Sequence, residues 1–335
     1  MIHGHGDDGH LYPGKLLHNF SSNVYYKGCP PQLLAHIAAK AQAVQSYPSP
    51  MAAELNEAAA QRYQLSPNHF LFTNGATEAF YLITHLFAGQ TAAIVAPTFA
   101  EYADACQIHG VQYQSVTQAT LHPANYKLVF ICNPNNPDGH IVPTDVLVQL
   151  VKANPATTFV VDEAYIEFTN SITSLAPWVG RLPNLIVVRS LTKTFAIPGL
   201  RLGYVMAAPD TVERLLSKKM PWSVNAFAIE AGLQLFAHYD QWQFDITQLL
   251  AETQTFIQGL AAIDWLAVQP THASYFLARL HRGTAAELKS YLATQHGILI
   301  RDATNFKGLH GQHIRLATQS AAANAQLIKA LKDWK

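Results

Sequence analysis

The chain has 335 residues, of which 49% are hydrophobic and 13% are charged. Its 22 basic and 22 acidic residues cancel, so it lacks the basic excess that is typical of nucleic-acid-binding proteins. The apolar runs are too short to span a bilayer, and the first residues lack the apolar segment of a signal peptide. We therefore expect a cytoplasmic protein that has no nucleic-acid or membrane partner.

Predicted strands and helices alternate between about residues 54 and 207. The predicted helices are 54–63, 77–87, 99–109 and 144–153. The predicted strands are 69–73, 91–96, 127–132, 157–162, 185–189 and 203–207. Several of these strands are continuous apolar runs, which suit a sheet covered on both faces. The alternation predicts an α/β fold with a mainly parallel sheet between layers of helices.

The pattern changes after about residue 209. Three helices are predicted first, at 211–219, 225–238 and 244–260. Short strands follow at 275–279, 298–301 and 313–317, with helices between and after them. We therefore predict a large α/β domain over residues 45–225 and a smaller α+β domain formed by residues 1–44 and 226–335.

Polar side chains follow many of the predicted strands of the large domain. Asn74, Asp162 and Ser190 each lie at or just after the end of a strand. Ligands of open α/β sheets bind at the carboxyl ends of the strands. These side chains are therefore expected to collect at one edge of the sheet and to form a site there.

The segment from Ser190 to Tyr204 is the most informative motif in the chain. Lys193 lies between small hydroxyl residues, and a Pro-Gly turn precedes Arg201. A lysine whose pKa is lowered can form an imine with an aldehyde. The hydroxyls of Ser190 and Thr192 and the guanidinium of Arg201 can hold a phosphate beside it. Taken alone, the same residues are also typical of ordinary turns.

An imine-forming lysine beside a phosphate site indicates pyridoxal phosphate (PLP). The segment resembles the lysine motif of the class I/II aminotransferases and their relatives, the PLP enzymes of fold type I. Six separated motifs match that family in its chain order, from about residue 45 to 317. The resemblance implies a PLP enzyme of fold type I, with catalytic roles for Lys193, Asp162 and Tyr102.

The resemblance also implies which residues bind the cofactor. Gly75, Ala76 and Thr77 form a turn before a predicted helix, and backbone amides at a helix N-terminus bind anions well. In the family such a turn holds the PLP phosphate. Asp162 matches the carboxylate that keeps the pyridine nitrogen protonated, which makes PLP an electron sink.

Four further residues match positions around the cofactor. The resemblance implies that Tyr165 and Asn136 share the 3-oxygen of PLP and that Tyr102 stacks on the ring. Tyr47 resembles a tyrosine that reaches the cofactor phosphate from the neighbouring subunit. A homodimer is therefore expected, and the low charged fraction agrees with a subunit interface. The family's usual threonine after Asn136-Pro137 is replaced by Asp138.

The substrate residues are matched last. Arg315 resembles the arginine that binds the α-carboxylate, and Arg301 resembles the one that binds a substrate phosphate. His5 and Asn23 are candidates for orienting either group. We therefore expect a small phosphorylated amino acid as substrate. The histidines near the N-terminus have no distinctive ligand spacing, and we predict no metal site.

Two subfamilies share most of these residues, the threonine-phosphate decarboxylases of cobalamin biosynthesis and the histidinol-phosphate aminotransferases. The stretch Met220-Pro-Trp-Ser-Val-Asn225 and the stretch from Asn19 to Asn23 resemble the first group more. That group's second arginine after Arg315 is Gln319 here.

The resemblance favours PLP-dependent decarboxylation of O-phospho-L-threonine to aminopropanol phosphate, with transamination of histidinol phosphate or of a related amino acid as the alternative. A regulatory PLP-fold module without turnover is a third class, and the presence of Lys193, Asp162, Tyr165 and Arg201 argues against it. A Rossmann protein would need GxGxxG after the first strand, which the chain lacks.

Overall fold

The computed structural model of the chain describes residues 7–334. The helices within this range are α1 (Pro31–Ala39), α2 (Ala53–Tyr63), α3 (Gly75–Leu86), α4 (Glu101–Ile108), α5 (Thr144–Ala153), α6 (Leu191–Thr194), α7 (Pro209–Leu216), α8 (Ala226–Ala237), α9 (Ile246–Leu260), α10 (Ala285–His296) and α11 (Ala321–Asp333). Among these residues, no helix is both long and apolar enough to cross a membrane.

The strands of the described range form three sheets. They are β1 (His18–Asn19), β2 (Phe70–Asn74), β3 (Thr91–Val95), β4 (Gln112–Val116), β5 (Leu128–Cys132), β6 (Thr158–Asp162), β7 (Leu185–Ser190), β8 (Leu202–Met206), β9 (Leu266–Val268), β10 (Tyr275–Leu280), β11 (Ile298–Leu299), β12 (Arg301–Asp302) and β13 (His313–Ala317).

The largest sheet has seven strands in the order β2-β8-β7-β6-β5-β3-β4. Strands β3 to β7 pair in parallel, and β8 runs antiparallel to both of its neighbours. The predicted α/β fold with a mainly parallel sheet is therefore confirmed. Cys132 pairs with Asp162 and Asp162 with Val188, so three neighbouring strands end at the same edge.

Apolar side chains cover both faces of this sheet. On β6, Val161 packs in one core and Val160 in the other, as the alternation of side chains along a strand requires. Helices α1, α2, α5 and α8 pack on the first core, and α3, α4 and α7 on the second. Helices α1 and α8 thus pack with the large sheet, although we assigned them to the smaller domain.

The smaller domain is built on an antiparallel sheet in the order β12-β13-β10-β9. Its helices begin at side chains that accept hydrogen bonds from the first turn. Asp245 caps α9, Ser320 caps α11, and Thr284 caps α10 while its own amide donates to the carboxylate of Glu287. Such caps satisfy amides that have no partner within the helix. The β1–β11 pair ties the N-terminal segment to this domain.

The sheets differ from the prediction in several details, and the short strands β1 and β9 were not predicted. The edge strand β4 was not predicted, because four of its five residues are exposed and the strand is mostly polar. The strand predicted at 298–301 is two strands, since β11 pairs with β1 while β12 pairs with β13. This break places Arg301 at the start of its own short strand.

Candidate active site

Two adjoining cavities lie at the carboxyl edge of the large sheet. The smaller has a volume of about 140 Å³ and the larger about 300 Å³. Lys193, Thr77, Asn136 and Tyr165 line both of them. Side chains that we predicted to collect at this edge therefore meet there, around an inner and an outer cavity.

Lys193 lies between the two cavities. It belongs to α6, a single helical turn that directly follows β7. Desolvation by the surrounding protein, followed by the positive charges of Arg315 and Arg201, lowers the pKa of its amine to about 8. A lysine with such a pKa is partly neutral near physiological pH, and its amine can act as a nucleophile or accept a proton.

The inner cavity contains several groups that donate hydrogen bonds to anions. The hydroxyls of Ser190 and Thr192 lie 2.8 Å apart, and both residues line the cavity with Arg201. Helix α3 points its N-terminus at this place. Within residues 7–334, the side chain of its N-cap residue Asn74 accepts no hydrogen bond from the first turn, in contrast to the caps of the smaller domain, and, of the backbone amides, Glu78 accepts a hydrogen bond from that of Asn74 alone. Uncapped amides, two hydroxyls and a guanidinium together suit a phosphate.

Two glycines permit the close packing of this anion site. Gly75 has a φ of +75°, and a Cβ there would collide with the guanidinium of Arg201. A Cβ on Gly203 would lie 2.5 Å from the backbone nitrogen of Ala76. Larger residues at either position would push Arg201 or the first turn of α3 away from the cavity.

Asp162 supplies a buried carboxylate to the inner cavity. It is the last residue of β6 and is 4% exposed. Burial raises its pKa to about 6, while hydrogen bonds from Tyr102 and from the amide of Ala164 oppose this rise. Such a carboxylate becomes ionised most readily when a cation lies beside it. It can therefore pair with a protonated ring nitrogen.

Tyr102 takes a different place from the one we predicted for it. Its ring is fully buried, stacks on Phe130 at 5.1 Å and meets the edge of Phe80 at 4.7 Å. Its hydroxyl donates to Asp162 rather than facing a ligand. Phe99 lines both cavities and was missed, although it belongs to the same Phe99-Ala-Glu-Tyr102 motif. Phe99, rather than Tyr102, is therefore the aromatic side chain of this motif that faces the cavities, while the hydroxyl of Tyr102 contacts the carboxylate of Asp162.

Tyr165 and Asn136 lie together at the boundary of the cavities. Burial raises the pKa of Tyr165 to about 12, and the nearby charge of Arg315 acts in the opposite direction. Oδ1 of Asn136 accepts a hydrogen bond of 2.5 Å from Arg315. The pair can thus offer a phenol and an amide to one oxygen of a ligand, while Asn136 also holds Arg315.

Arg301 and Arg315 lie directly opposite each other on β12 and β13 and line the outer cavity. Directly opposite residues of an antiparallel pair have neighbouring side chains. Burial and the charge of Arg315 lower the pKa of Arg301 to about 10. Two guanidinium groups held so close are stabilised by anions, so the outer cavity suits a ligand with two negative groups.

The outer cavity contains two further polar side chains. Asn23 is buried in the cavity wall, and its side-chain amide lies close enough to Tyr165 to lower the pKa of that phenol. Its amide can therefore contact a ligand beside Tyr165. Asp7 also lines the cavity, where its charge raises the pKa of Lys193. Asp7 was not among the predicted site residues, although it belongs to the N-terminal segment His5-Gly6-Asp7-Asp8, from which only His5 was chosen.

Two predicted residues are not tested by the cavities. His5 lies outside the described residues. Tyr47 lines neither cavity of its own chain, and it is 87% exposed. Its ring packs against Trp222, with 5.3 Å between the ring centroids. Its assignment to a neighbouring subunit remains a prediction.

The family model "Aminotransferase class I and II" matches residues 16–331 of the chain. A threonine-phosphate decarboxylase from Salmonella typhimurium is 33% identical to it, over 96% of this chain and 92% of the relative. A histidinol-phosphate aminotransferase from Caldanaerobacter subterraneus is 30% identical, over 87% of this chain and 84% of the relative.

A solved structure resembles the whole fold. The crystal structure of L-threonine-O-3-phosphate decarboxylase from Porphyromonas gingivalis matches with a TM-score of 0.91 and 37% sequence identity. The match covers 94% of this chain and 98% of that one. The chain therefore belongs to the class I and II aminotransferase family, whose members are PLP-dependent enzymes of fold type I.

Proposed function

We propose that the protein is a PLP-dependent decarboxylase that converts O-phospho-L-threonine to aminopropanol phosphate and CO2. The observation that carries the proposal is the placement of Arg301 opposite Arg315, in the cavity that Lys193 also lines. Two adjacent guanidinium groups suit one small substrate that has both a carboxylate and a phosphate. The identity to relatives named for this activity supports the same substrate.

The residues of the inner cavity fit PLP. The hydroxyls of Ser190 and Thr192, the guanidinium of Arg201 and the uncapped N-terminus of α3 suit its phosphate. The buried carboxylate of Asp162 suits its ring nitrogen, and the amine of Lys193 suits its aldehyde. Tyr165 and Asn136 would contact its 3-oxygen. When bound, PLP supplies an electron sink for the bond that breaks at the substrate's α-carbon.

The side chains of the outer cavity would bind and orient the substrate. Arg315 would bind the carboxylate and Arg301 the phosphate, with Asn23 as a further donor beside them. The C–C bond to the carboxylate breaks and CO2 leaves. The electron pair of that bond remains with the α-carbon, where a proton then takes the place of the lost CO2. Nζ of Lys193 lines the cavity and has a pKa of about 8, so it can deliver that proton.

We further propose that the active site is completed in a homodimer. Tyr47, Met220 and Trp222 are large side chains that are at least 49% exposed, and Tyr47 packs against Trp222. Exposed aromatic residues and methionine are enriched at subunit interfaces. Tyr47 would then reach the phosphate site of the partner subunit.

A second candidate is transamination of histidinol phosphate. The 30% identity to a histidinol-phosphate aminotransferase supports it, and Arg301 would bind that phosphate equally well. In this case Arg315 would bind the carboxylate of the second substrate, 2-oxoglutarate. The two reactions differ in which bond at the α-carbon is aligned for cleavage.

One experiment separates these candidates. The enzyme loaded with PLP is given O-phospho-L-threonine alone, and CO2 and aminopropanol phosphate are measured. It is then given histidinol phosphate with 2-oxoglutarate, and glutamate is measured. We expect CO2 in the first assay and no glutamate in the second. Glutamate without CO2 would establish the transaminase instead, and neither product would refute both.

A further inference from the structure

A second group of charged side chains lies behind the active site, within the large domain. Arg189 forms ion pairs with Glu163, at 3.2 Å, and with Glu167. The hydroxyl of Ser174 donates a hydrogen bond to Glu163, and the hydroxyl of Tyr239 donates one to Glu167. Both bonds are 2.6 Å long. We call these five residues the arginine cluster.

The arginine cluster is almost closed to solvent. The side chains of Glu163, Glu167 and Arg189 are exposed by only 2%, 9% and 6%. Buried ion pairs are weak contributors to stability, because apolar side chains of similar volume often stabilise a fold as well or better. Stability alone therefore does not explain the arginine cluster, and the positions of its side chains indicate its role.

Members of the arginine cluster are chain neighbours of active-site residues. Glu163 directly follows Asp162, and Arg189 directly precedes Ser190. Successive residues of a strand point to opposite faces of the sheet. The Arg189–Glu163 ion pair thus joins the ends of β6 and β7 from behind, while Asp162 and Ser190 line the cavity in front.

The arginine cluster also reaches the helix that carries the lysine. Oγ1 of Thr194, the residue after Lys193, donates a hydrogen bond of 3.2 Å to Glu167. Helix α6 has only four residues, too few to be stable by itself. Its orientation therefore depends on contacts of this kind.

We propose that Arg189, Glu163 and Glu167 are positioning residues that hold Asp162 and Lys193 in register from the far side of the sheet, with Thr194 as the link to the lysine. The inference rests on the proposed role of Lys193 as the cofactor lysine. It assigns a function to side chains that contact neither cavity in front of the sheet.

The test removes the link without removing a buried charge. Thr194→Val deletes the hydroxyl at nearly constant volume, and Thr194→Ser retains it. Thr253→Val is the matched control, because Thr253 is also buried in a helix, with its hydroxyl 2.8 Å from the carbonyl of Leu249. Each cofactor-free full-length variant is labelled with acetic anhydride between pH 6 and 11, and acetylation of Lys193 is followed by peptide mass spectrometry.

We expect Lys193 of the parent and of Thr253→Val to be acetylated with a midpoint near pH 8. In Thr194→Val the midpoint should rise by about one unit, because a displaced amine is better solvated. The groups that face this amine, Arg315, Arg201, Asp7 and Asp162, are unchanged in that variant. In the PLP-loaded enzyme, kcat should fall by about 10-fold to 100-fold with little change in KM, and Thr194→Ser should restore both readouts.

Glu167→Gln distinguishes positioning from simple electrostatics. Loss of a negative charge alone would lower the pKa of a nearby lysine, whereas loss of position should raise it. An unchanged midpoint and kcat in Thr194→Val, or a lowered midpoint in Glu167→Gln, would overturn the inference. The proposed cofactor role is checked separately: added PLP should protect Lys193 of the parent from acetylation. Protection without a midpoint change would refute the positioning role alone.

Discussion

The hydroxyl of Tyr102 donates a 2.5 Å hydrogen bond to Oδ2 of Asp162, inside the large domain. This bond favours the ionised carboxylate, while burial raises the pKa of Asp162 to about 6. The tyrosine therefore helps to maintain the charge on Asp162 that the proposed chemistry requires. Its effect can be measured without the cofactor.

We expect Tyr102→Phe to raise the pKa of Asp162 further. In the parent, the folded state binds more protons than the unfolded state between the ordinary pKa of 3.8 and about 6, so stability falls as pH rises through this window. In Tyr102→Phe the fall should continue above pH 6. Thermal unfolding of the cofactor-free protein between pH 4 and 8 measures this loss of stability. Tyr126→Phe, which loses a hydroxyl bonded to exposed Gln114, should leave the window unchanged.

Asp162→Asn should separate stability from activity. The amide cannot ionise, so the stability loss between pH 4 and 6 should disappear, and the cofactor-free variant should be no less stable than the parent at pH 7. Turnover should fall by about 100-fold to 1000-fold, because the charge beside the ring nitrogen is lost. A variant that kept full activity would contradict the role of Asp162.

Gly75→Ala should weaken PLP binding more than the backbone conformation alone explains. Gly75 and Gly89 both have a φ of +75°, but a Cβ on Gly89 would meet no atom within 4 Å. Alanine at either position costs about 1–2 kcal/mol for the left-handed conformation. Only Gly75→Ala also displaces Arg201. Titration of each variant with PLP, followed by absorbance, should show weaker binding in Gly75→Ala alone.

Arg301→Gln should impair phosphorylated substrates selectively. When a charged group loses its buried partner, the cost is about 2 kcal/mol or more. The kcat/KM for O-phospho-L-threonine should therefore fall at least about 30-fold. Any slow reaction with unphosphorylated L-threonine should change little. Equal losses with both substrates would show that Arg301 does not bind the phosphate.

Mixed dimers should test the assignment of Tyr47. Lys193→Ala and Tyr47→Ala proteins should each be severely impaired alone. If Tyr47 acts on the partner subunit, a mixed dimer has one site with both residues intact, and activity should reappear after the two proteins are unfolded and refolded together. No recovery in dimers shown to be mixed would place Tyr47 in the site of its own chain or outside any site.

The pattern of the sequence predicts much of this architecture because its causes are local. Continuous apolar runs mark the buried strands, and the motif around Lys193 resembles a known family. The strand β4 was missed because its residues are mostly polar and exposed. Its pairing with β3 depends on the neighbouring chain segment rather than on its own composition.

The roles of the aromatic residues could not be read from the motif. Phe99 and Tyr102 are three residues apart, and which of them faces the ligand depends on how α4 begins and packs. The pairing of Arg301 with Arg315 could not be predicted from the sequence either, because it requires the break between β11 and β12. Tertiary packing decides such details.

The antiparallel strand β8 has a consequence for how the protein is made. Strand β2 lies at one border of the sheet and has β8 as its partner there, about 130 residues later in the chain. A ribosome must therefore synthesise the chain beyond Met206 before β2 can join the sheet. Gly75 and Arg201, which flank these two strands, meet only at that moment. The anion site should thus be among the last parts of the large domain to form, and a nascent chain should capture its cofactor late.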